Sequence, residues 1–527
     1  MAILNVRSLG EGGISSDISP WDLPPNAIND GSNFRVFANK LYSVGGYSKQ
    51  NSTPILSPNG GTAKIGHLRQ SSDFGGASYW ILFGDDSVQA YDGTNLFDIT
   101  GSITPITNAE RWSTAITGEV MFANHPSIGP FYWLEGNVQI PFNDLPWSPT
   151  QTWDDAGKSC NTIRAHKNFL FGLGMTENGE DYFDRVRWSH PAEPNGIPFS
   201  WEETAIDPSS LAGYVTLGGG GRIIGGQSLR DSFVVYSDSA VNIMDFVGDA
   251  LGWRRRTVTS TAGLLSKESL IEVRGQHFFL SYDDILTFDG NQMVSLLHNR
   301  LRVRLGNRIN QNAYQTSYAF ENTATKEIWF CIPEGDALFP NAAYVFNYRD
   351  NSWGIRDLEQ QYRHASFGNL PEPAVTWNSL AGTAWNEMDF VWDSGAQTPF
   401  NAAPFAVTSV DNIYDIDPNI PDENVSTVVS RTDLPLAGQQ QVTTVTSIYP
   451  HVEGTAPINV YFGSQQTAGG PIRWGNNNQP VVFNPQVDRK IDLRTTGELH
   501  SWRFESQGKQ YFRLSGFDIE YQPAGRR

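Results

Sequence analysis

A chain of 527 residues with 37 Lys and Arg against 56 Asp and Glu carries a formal net charge of −19, which excludes a surface built to grip nucleic acid, since that needs clustered cations. Charged residues make up only 18% and aromatics 12%, with 50 Gly and 30 Pro; this mixture excludes a protein of long helices and fits many short strands joined by tight turns. Two cysteines, Cys160 and Cys331, exclude a disulfide framework, and a core of this size needs none.

Residues 1–50 read as an extended arm with a hairpin. Ser19-Pro20-Trp21-Asp22-Leu23-Pro24-Pro25-Asn26 is stiff, because proline fixes φ and restricts the residue before it. Val36-Phe37 and Leu41-Tyr42 flank Ala38-Asn39-Lys40 as hairpin strands would. With few apolar residues of its own, the arm is expected to lie on another part of the chain or on a neighbouring subunit. The opening Met1-Ala2-Ile3-Leu4-Asn5-Val6-Arg7 lacks the basic start and apolar stretch of a signal peptide. No apolar run is long enough to span a bilayer, so the chain reads as soluble, made in a reducing cytoplasm and without stable membrane insertion.

Residues 51–400 carry apolar runs in quick succession, at 79–83, 120–122, 169–171, 233–236, 278–280 and 328–331. One pattern recurs three times: Phe83-Gly84-Asp85-Asp86-Ser87-Val88-Gln89-Ala90-Tyr91-Asp92-Gly93, Tyr236-Ser237-Asp238-Ser239-Ala240-Val241-Asn242-Ile243-Met244-Asp245-Phe246 and Leu280-Ser281-Tyr282-Asp283-Asp284-Ile285-Leu286-Thr287-Phe288-Asp289-Gly290. Each copy has an apolar strand end, an acidic turn, an aliphatic residue three places before a large apolar one, and then an Asp. Tyr236 and Leu280 stand about 44 residues apart, close to the roughly 40–50 of one propeller blade. Repeated β-units whose neighbours cover each other's apolar faces predict an all-β chain built around a β-propeller of six or seven blades with irregular loops. Asp92, Asp245 and Asp289 are expected to close equivalent hairpins by accepting hydrogen bonds from nearby backbone N–H groups.

The segment 299–312 breaks the pattern, with Leu301, Leu305 and Ile309 on one helical stripe and Arg300, Arg304 and Arg308 on the next. It reads as a surface helix on the propeller rim, or as a partner-binding helix. Residues 401–430 read as an acidic, proline-containing linker or loop, with Asp411, Asp415, Asp417, Asp422 and Glu423. Residues 431–527 alternate again, at Ile458, Val460 and Phe462, at Trp502 and Phe504, and at Phe517, Ile519 and Tyr521. They predict a separate C-terminal β-sandwich, with a bulge at Ser515-Gly516.

Sites of chemistry are sparse. The glycine run at 218–221 has no Lys-Ser or Lys-Thr after it and is a turn rather than a phosphate loop. Asp85-Asp86 and Asp283-Asp284 lack the alternating oxygen ligands of a calcium loop; Asp415 to Glu423 is the better calcium candidate, although a solvated loop is preferred there. His166, His190, His277 and His364 are scattered without metal spacing. Trp253-Arg254-Arg255-Arg256 is the most basic short run, and strand alternation would split its arginines between two faces. No catalytic residues, metal or cofactor are expected.

Gly13-Ile14-Ser15-Ser16-Asp17, Leu23-Pro24-Pro25-Asn26, Asn33-Phe34-Arg35-Val36 and Gly45-Gly46 at one end resemble the opening of a family of phage proteins. Arg513-Leu514-Ser515-Gly516-Phe517-Asp518-Ile519-Glu520-Tyr521 and Ala524-Gly525-Arg526-Arg527 resemble its ending. Gly213-Tyr214-Val215-Thr216-Leu217, Gly252-Trp253 and the stretch 348–353 are similar to its middle. The family is the podovirus tail nozzle, tail tubular protein B-like; a turn glycine expected near Ala38-Asn39-Lys40 is missing. The resemblance implies a virion protein made in the bacterial host, a propeller-bearing subunit of a homo-hexameric ring at the distal end of a short tail. An adaptor ring would lie above it, fibres or spikes beside it, and viral DNA would leave through its lumen without sequence-specific binding. Candidate interface residues are Trp21 and Arg35 on the arm, Arg300, Arg304 and Arg308 on the helix, and Arg526 and Arg527 at the end. Two other classes stay open: a glycan-active enzyme on a propeller, which needs a carboxylate pair in one cleft, and a lectin-like receptor-binding module.

Overall fold

The computed structural model describes the chain except residues 1, 52, 73–77, 193–195, 204–205, 219–220, 249–251, 260, 370–401, 419–424, 439–440, 507–510 and 527, with the backbone alone for Ser72 and Arg526. The three hairpin copies take up one geometry. Gly84 N–H bonds to Ser87 O at 2.9 Å, Ser237 N–H to Ala240 O at 2.8 Å, and Ser281 N–H to Asp284 O at 2.8 Å. Phe83 pairs with Val88, Tyr236 with Val241 and Leu280 with Ile285. Each turn joins the second and third strands of a four-stranded antiparallel sheet.

Seven such sheets follow one another among the described residues. The first begins with His67–Ser72, the second with Ser113–Thr117, the third with Lys158–His166 and the fourth with Ile223–Leu229. The fifth begins with Leu270–Val273, the sixth with Tyr318–Asn322 and the seventh with Tyr362–Asn369. The six apolar runs picked out in the sequence are the second strands of the first six sheets. The first strands pack against one another around an axis, and the seventh returns to the first. The fold is therefore a seven-bladed β-propeller.

Apolar packing between blades holds the ring. Phe83, Trp112 and Trp133 fill the space between blades one and two; Trp153, Leu170 and Trp201 fill that between two and three. Phe171, Phe233 and Trp253 lie between three and four, Tyr236, Val241 and Phe279 between four and five. Trp329 and Tyr362 join blades six and seven, and Trp80 with Phe405 joins seven to one. Blades five and six share a cluster with the second domain, through Phe278, Phe330 and Trp353. A fully buried side chain of this size contributes about 1.5–3 kcal/mol, against about 1 kcal/mol net for a hydrogen bond.

Residues 401–430 are not a linker. Ala402–Thr408 and Ile413–Asp415 are the second and third strands of blade seven, with Phe405, Ala406 and Val407 buried. The outer strand of that blade is Ser48–Lys49, from the other end of the chain, with Lys49 opposite Tyr414. Proline and acidic residues masked a strand whose inward side is apolar.

The first 50 residues are not an arm either. Two six-stranded sheets form the second domain, and Ala2–Arg7, Asp30–Ser32, Phe34–Phe37 and Lys40–Ser43 belong to them. Ala2–Arg7 pairs along the last strand, from Ala2 opposite Tyr521 to Arg7 opposite Gly516. An alanine Cβ at Gly516 would lie 2.2 Å from Val6 O, so this approach requires glycine. Ser515 is the residue skipped between the pairs His451–Gly516 and Val452–Leu514, as the predicted bulge requires. Val6, Leu9, Ile14, Ile28, Phe34, Val36 and Leu41 are all buried. The missing turn glycine is replaced by Ala38 at φ 49° and Asn39 at φ 62°, both in the left-handed region of a two-residue hairpin turn.

Arg431 fastens this segment. Its Nη1 donates to Pro24 O at 2.7 Å and Ala27 O at 2.8 Å, and its Nη2 to Pro20 O at 2.8 Å and Leu23 O at 2.9 Å. The side chain is fully buried. Burial, opposed by Asp433, pushes its pKa down to about 10, so it stays charged at neutral pH. Arg431→Met strands Leu23 O and Ala27 O, leaves Pro20 O and Pro24 O only their bonds from Leu23 and Ala27 N–H at 3.4 and 3.0 Å, and should cost about 3 kcal/mol or more. The expected result is a lower Tm, with limited proteolysis cutting residues 8–28 first; an unchanged Tm and cleavage pattern would contradict it.

Candidate functional site

A cavity of about 450 Å³ opens on the axis of the propeller, and every blade contributes to it. His67 and Arg69 come from the first inner strand, Arg164 from the third, Glu268 from the turn before the fifth and His364 from the seventh. The His67 and His364 rings lie 4.2 Å apart at 47°. His67 Nε2 is 3.2 Å from Thr114 Oγ1, and Leu68 N–H points to His364 Nδ1 at 3.4 Å. Arg164 Nη2 donates to Glu268 Oε1 at 2.9 Å.

Burial governs ionisation here. It pushes the His364 pKa down to about 4, and it pushes His67 well down, with His364 adding to the effect. Both rings are neutral at pH 7. Burial opposes the Glu268 carboxylate, but the Arg164 charge, with Lys267, outweighs it and holds the carboxyl far below the usual range. Burial lowers Lys267 to about 7, and the Lys267 amine donates to Arg111 O.

Sequence reasoning noted His364 but missed His67 and Glu268. Their spacing carries no signal, because three different blades supply them. The other histidines do structural work: His277 bonds Tyr236 OH and Ser228 O at 2.8 Å each, and His166 bonds Ser228 Oγ at 2.9 Å.

The expected hairpin aspartates divide. Asp92 Oδ1 accepts from Thr94 N–H at 2.8 Å and Asn95 N–H at 2.6 Å; Asp289 Oδ1 accepts from Asn291 and Gln292 N–H at 2.8 Å each. These two cap the same turn. Asp245 does not: it lies inside the longer strand Val241–Phe246, where Ser232 Oγ and Arg256 bond it.

Of the candidate interface arginines, Arg35, Arg304 and Arg308 make ion pairs within the chain. Arg35 Nε meets Glu327 at 2.6 Å and its Nη2 meets Asp417, which Arg356 also holds at 2.8 Å. Burial opposes the Arg35 charge, and Asp417 with Glu327 overcomes it, so its pKa is raised. The expected helix shortens to Arg302–Arg308, with Leu301 and Leu305 buried and Ile309 packed against the same cluster. Arg304 pairs with Asp30 at 3.0 Å and Arg308 with Glu334 at 3.4 Å. The Asp17 carboxylate accepts from Arg302 and Val303 N–H at 2.8 and 3.1 Å, and Arg300 O accepts from Ser16 N–H at 2.7 Å. Trp21 is half-buried in the turn Pro20–Asp22, and Arg526 pairs opposite Gln441. Arg527, Asp422, Glu423 and glycines 219–220 lie outside the described residues.

Asp411 and Asp417 leave little for calcium. Asp411 accepts from Lys64 and Ile65 N–H and pairs with Arg363 at 3.2 Å, while Asp417 is shared by two guanidiniums. Arg254, Arg255 and Arg256 are all exposed, because Trp253–Thr259 is the outer strand of its blade and, beyond the buried Trp253, both its faces meet solvent.

No family model matches the chain, and no curated protein matches it. Among solved structures it is similar to BBS1N in complex with ARL6DN, at 10% identity and TM-score 0.40 over 72% of this chain and 97% of that one. It is also similar to YCF48 bound to D1 peptide, at 10% identity and TM-score 0.36 over 72% and 98%. The computationally designed Ika8 protein gives 9% identity and TM-score 0.37 over 78% and 100%. Likeness this distant carries no function across, and the propeller stands on its own seven sheets.

Burial raises the Asp415 pKa to about 6, with the Asp417 charge adding and the Asp417 N–H bond and the Arg356 charge opposing. A carboxyl raised from 3.8 to about 6 on folding favours the native state when protonated. That contribution is full below about pH 4 and lost as pH rises through 6. Asp415→Asn should therefore stabilise by about 1–3 kcal/mol at pH 7.5 and change little at pH 4, read as the difference in denaturant midpoints between variant and parent.

Proposed function

We propose that this chain is a structural virion protein, the subunit of a homo-hexameric nozzle at the distal end of a short bacteriophage tail, through which DNA passes into the host. One observation carries the reading. The segments that bear the resemblance, at opposite ends of the sequence, meet in one built unit. Residues 513–521 of the ending lie in the last strand, with which the neighbouring residues 2–7 and 41–42 pair, and in the opening Leu23 and Pro24 are gripped by Arg431. Ser15-Ser16-Asp17 docks on the start of the helix through Ser15 Oγ to Asn299 O at 2.8 Å and the Asp17 cap. That several residues of the opening and ending segments pack in one unit supports a shared architecture.

The axial channel of one propeller is no path for duplex DNA. Its 450 Å³ is crossed by the Arg164–Glu268 pair, whereas a duplex has a major groove alone about 12 Å wide. A conduit must therefore lie between copies, and an adaptor ring and fibres would contact the outer faces. With −19 on each chain, such a lumen keeps DNA contacts weak, where a cationic wall would bind by counterion release and stall passage. The lectin-like and glycan-active alternatives place function in one chain, with no ring.

Native mass spectrometry of the purified full chain tests this. A species of six times 58.5 kDa is expected, with duplex DNA binding that stays weak at low salt. A monomer that binds or cleaves surface glycan would overturn the nozzle reading. A hexamer with tight, steeply salt-dependent DNA binding would overturn the weak-contact conduit.

A further inference from the structure

Three side chains from three blades meet on the propeller axis with the donor set of a metal centre. His67 comes from blade one, His364 from blade seven and Glu268 from the turn into blade five, and the donor atoms they offer all lie within 4.8 Å of one another. Two ligands of one zinc-sized ion, each bonded at about 2.1 Å, stand at most about 4.2 Å apart, so a small rotation of the rings closes the set. His67 is 3% exposed, and its Nδ1 has no hydrogen-bond partner among the described residues. A buried ring nitrogen is costly to leave so unless something binds it.

The surroundings orient the donors. His67 Nε2 bonds Thr114 Oγ1 at 3.2 Å; in the tautomer that carries the proton on Nε2, this fixes the ring and leaves the Nδ1 lone pair for an ion. Arg164 holds one oxygen of Glu268 and turns the carboxylate into place, as outer partners of ligating groups do. Two features work against the ion and limit its affinity. Arg164 brings positive charge, and Leu68 N–H faces His364 Nδ1. That contact, at 3.4 Å, is longer than the roughly 3.2 Å limit of an ordinary N–H bond and yields readily.

We propose that His67, Glu268 and His364 bind one divalent transition-metal ion of the zinc class, which clips the closing seam between blades seven and one to blade five. Two imidazoles and a carboxylate select such ions over Mg²⁺ and Ca²⁺, which take oxygen donors. The inference is independent of the nozzle reading, because it concerns a single propeller.

The full-length chain, stripped with chelator, is titrated with Zn²⁺ and Co²⁺. One equivalent of Zn²⁺ is expected by calorimetry, with a visible d–d band from Co²⁺ and a Tm that rises with Zn²⁺ concentration but not with Mg²⁺. Changing outer partners alone typically costs about 10–100-fold in affinity; His67→Ala and His364→Ala should therefore weaken Zn²⁺ binding by at least about tenfold. His298→Ala and His451→Ala should bind as the parent does. Circular dichroism checks each variant for folding. Glu268→Gln, close in shape, serves if an alanine variant does not fold, with the same weakening expected. Absence of one-to-one binding, or binding that survives these substitutions, overturns the site.

Discussion

The guanidinium of Arg431, closed around four backbone carbonyls of residues 20–27, is the contact on which the rest of the molecule depends. Residues 8–28 include two short turns and little regular structure, and Leu23 O and Ala27 O find their donor in Arg431 rather than within the segment. Holding them in place also sets the next contacts along the chain: Asn33 N–H on Ile355 O at 2.7 Å, Arg35 on Glu327 and Asp417, and then Ser48–Lys49 as the last strand of blade seven. The chain begins in the sandwich, passes through the joint to complete the propeller, runs around the ring and returns to the sandwich. Closure of the ring is thereby tied to the docking of the opening segment. Lys49 and Tyr414 pair from distant parts of the sequence, so the loop entropy of that step is met late in folding.

The propeller was legible because its signal is local. A strand end, a four-residue turn and an apolar restart fit inside eleven residues, and Phe83, Tyr236 and Leu280 mark equivalent positions without a gap. Blade seven was not legible for the same reason. Its second strand contains Pro404, whose carbonyl accepts from Ile416 N–H at 3.0 Å, and its acidic neighbours read as loop. Its fourth strand lies at the other end of the sequence. The sandwich was half legible. Alternation disclosed Ile458, Val460, Trp502 and Phe504, but in Ala2–Arg7 only Val6 is buried, since an edge strand shows little pattern.

The candidate sites were less legible, and alternation explains why. Inner strands of a propeller are brought together by the ring, so His67, Glu268 and His364 meet although no spacing links them. Arg35 looked like a surface arginine on a free arm because nothing local announces Glu327 or Asp417. Arg254, Arg255 and Arg256 show the reverse failure: period-two reasoning assigned them to opposite faces, and on an outer strand both faces are wet.

Two of the polar clusters that interrupt the apolar body sit where the order of blades has to be fixed. His67, Glu268 and His364 lie at the seam of blades seven and one; Arg35, Glu327, Arg356 and Asp417 lie where blades six and seven receive the N-terminal segment. Buried charges are a poor source of net stability, since desolvation offsets their attraction. Their effect on alternatives is larger. Blades built to one pattern offer similar apolar faces, so packing alone discriminates weakly between correct and shifted neighbours. A shifted closure would leave a guanidinium or carboxylate buried without its partner, at about 3–5 kcal/mol, whereas the correct one satisfies Arg35 and Arg356 together on Asp417. The charges therefore do for the register of the ring what the apolar faces do for its cohesion.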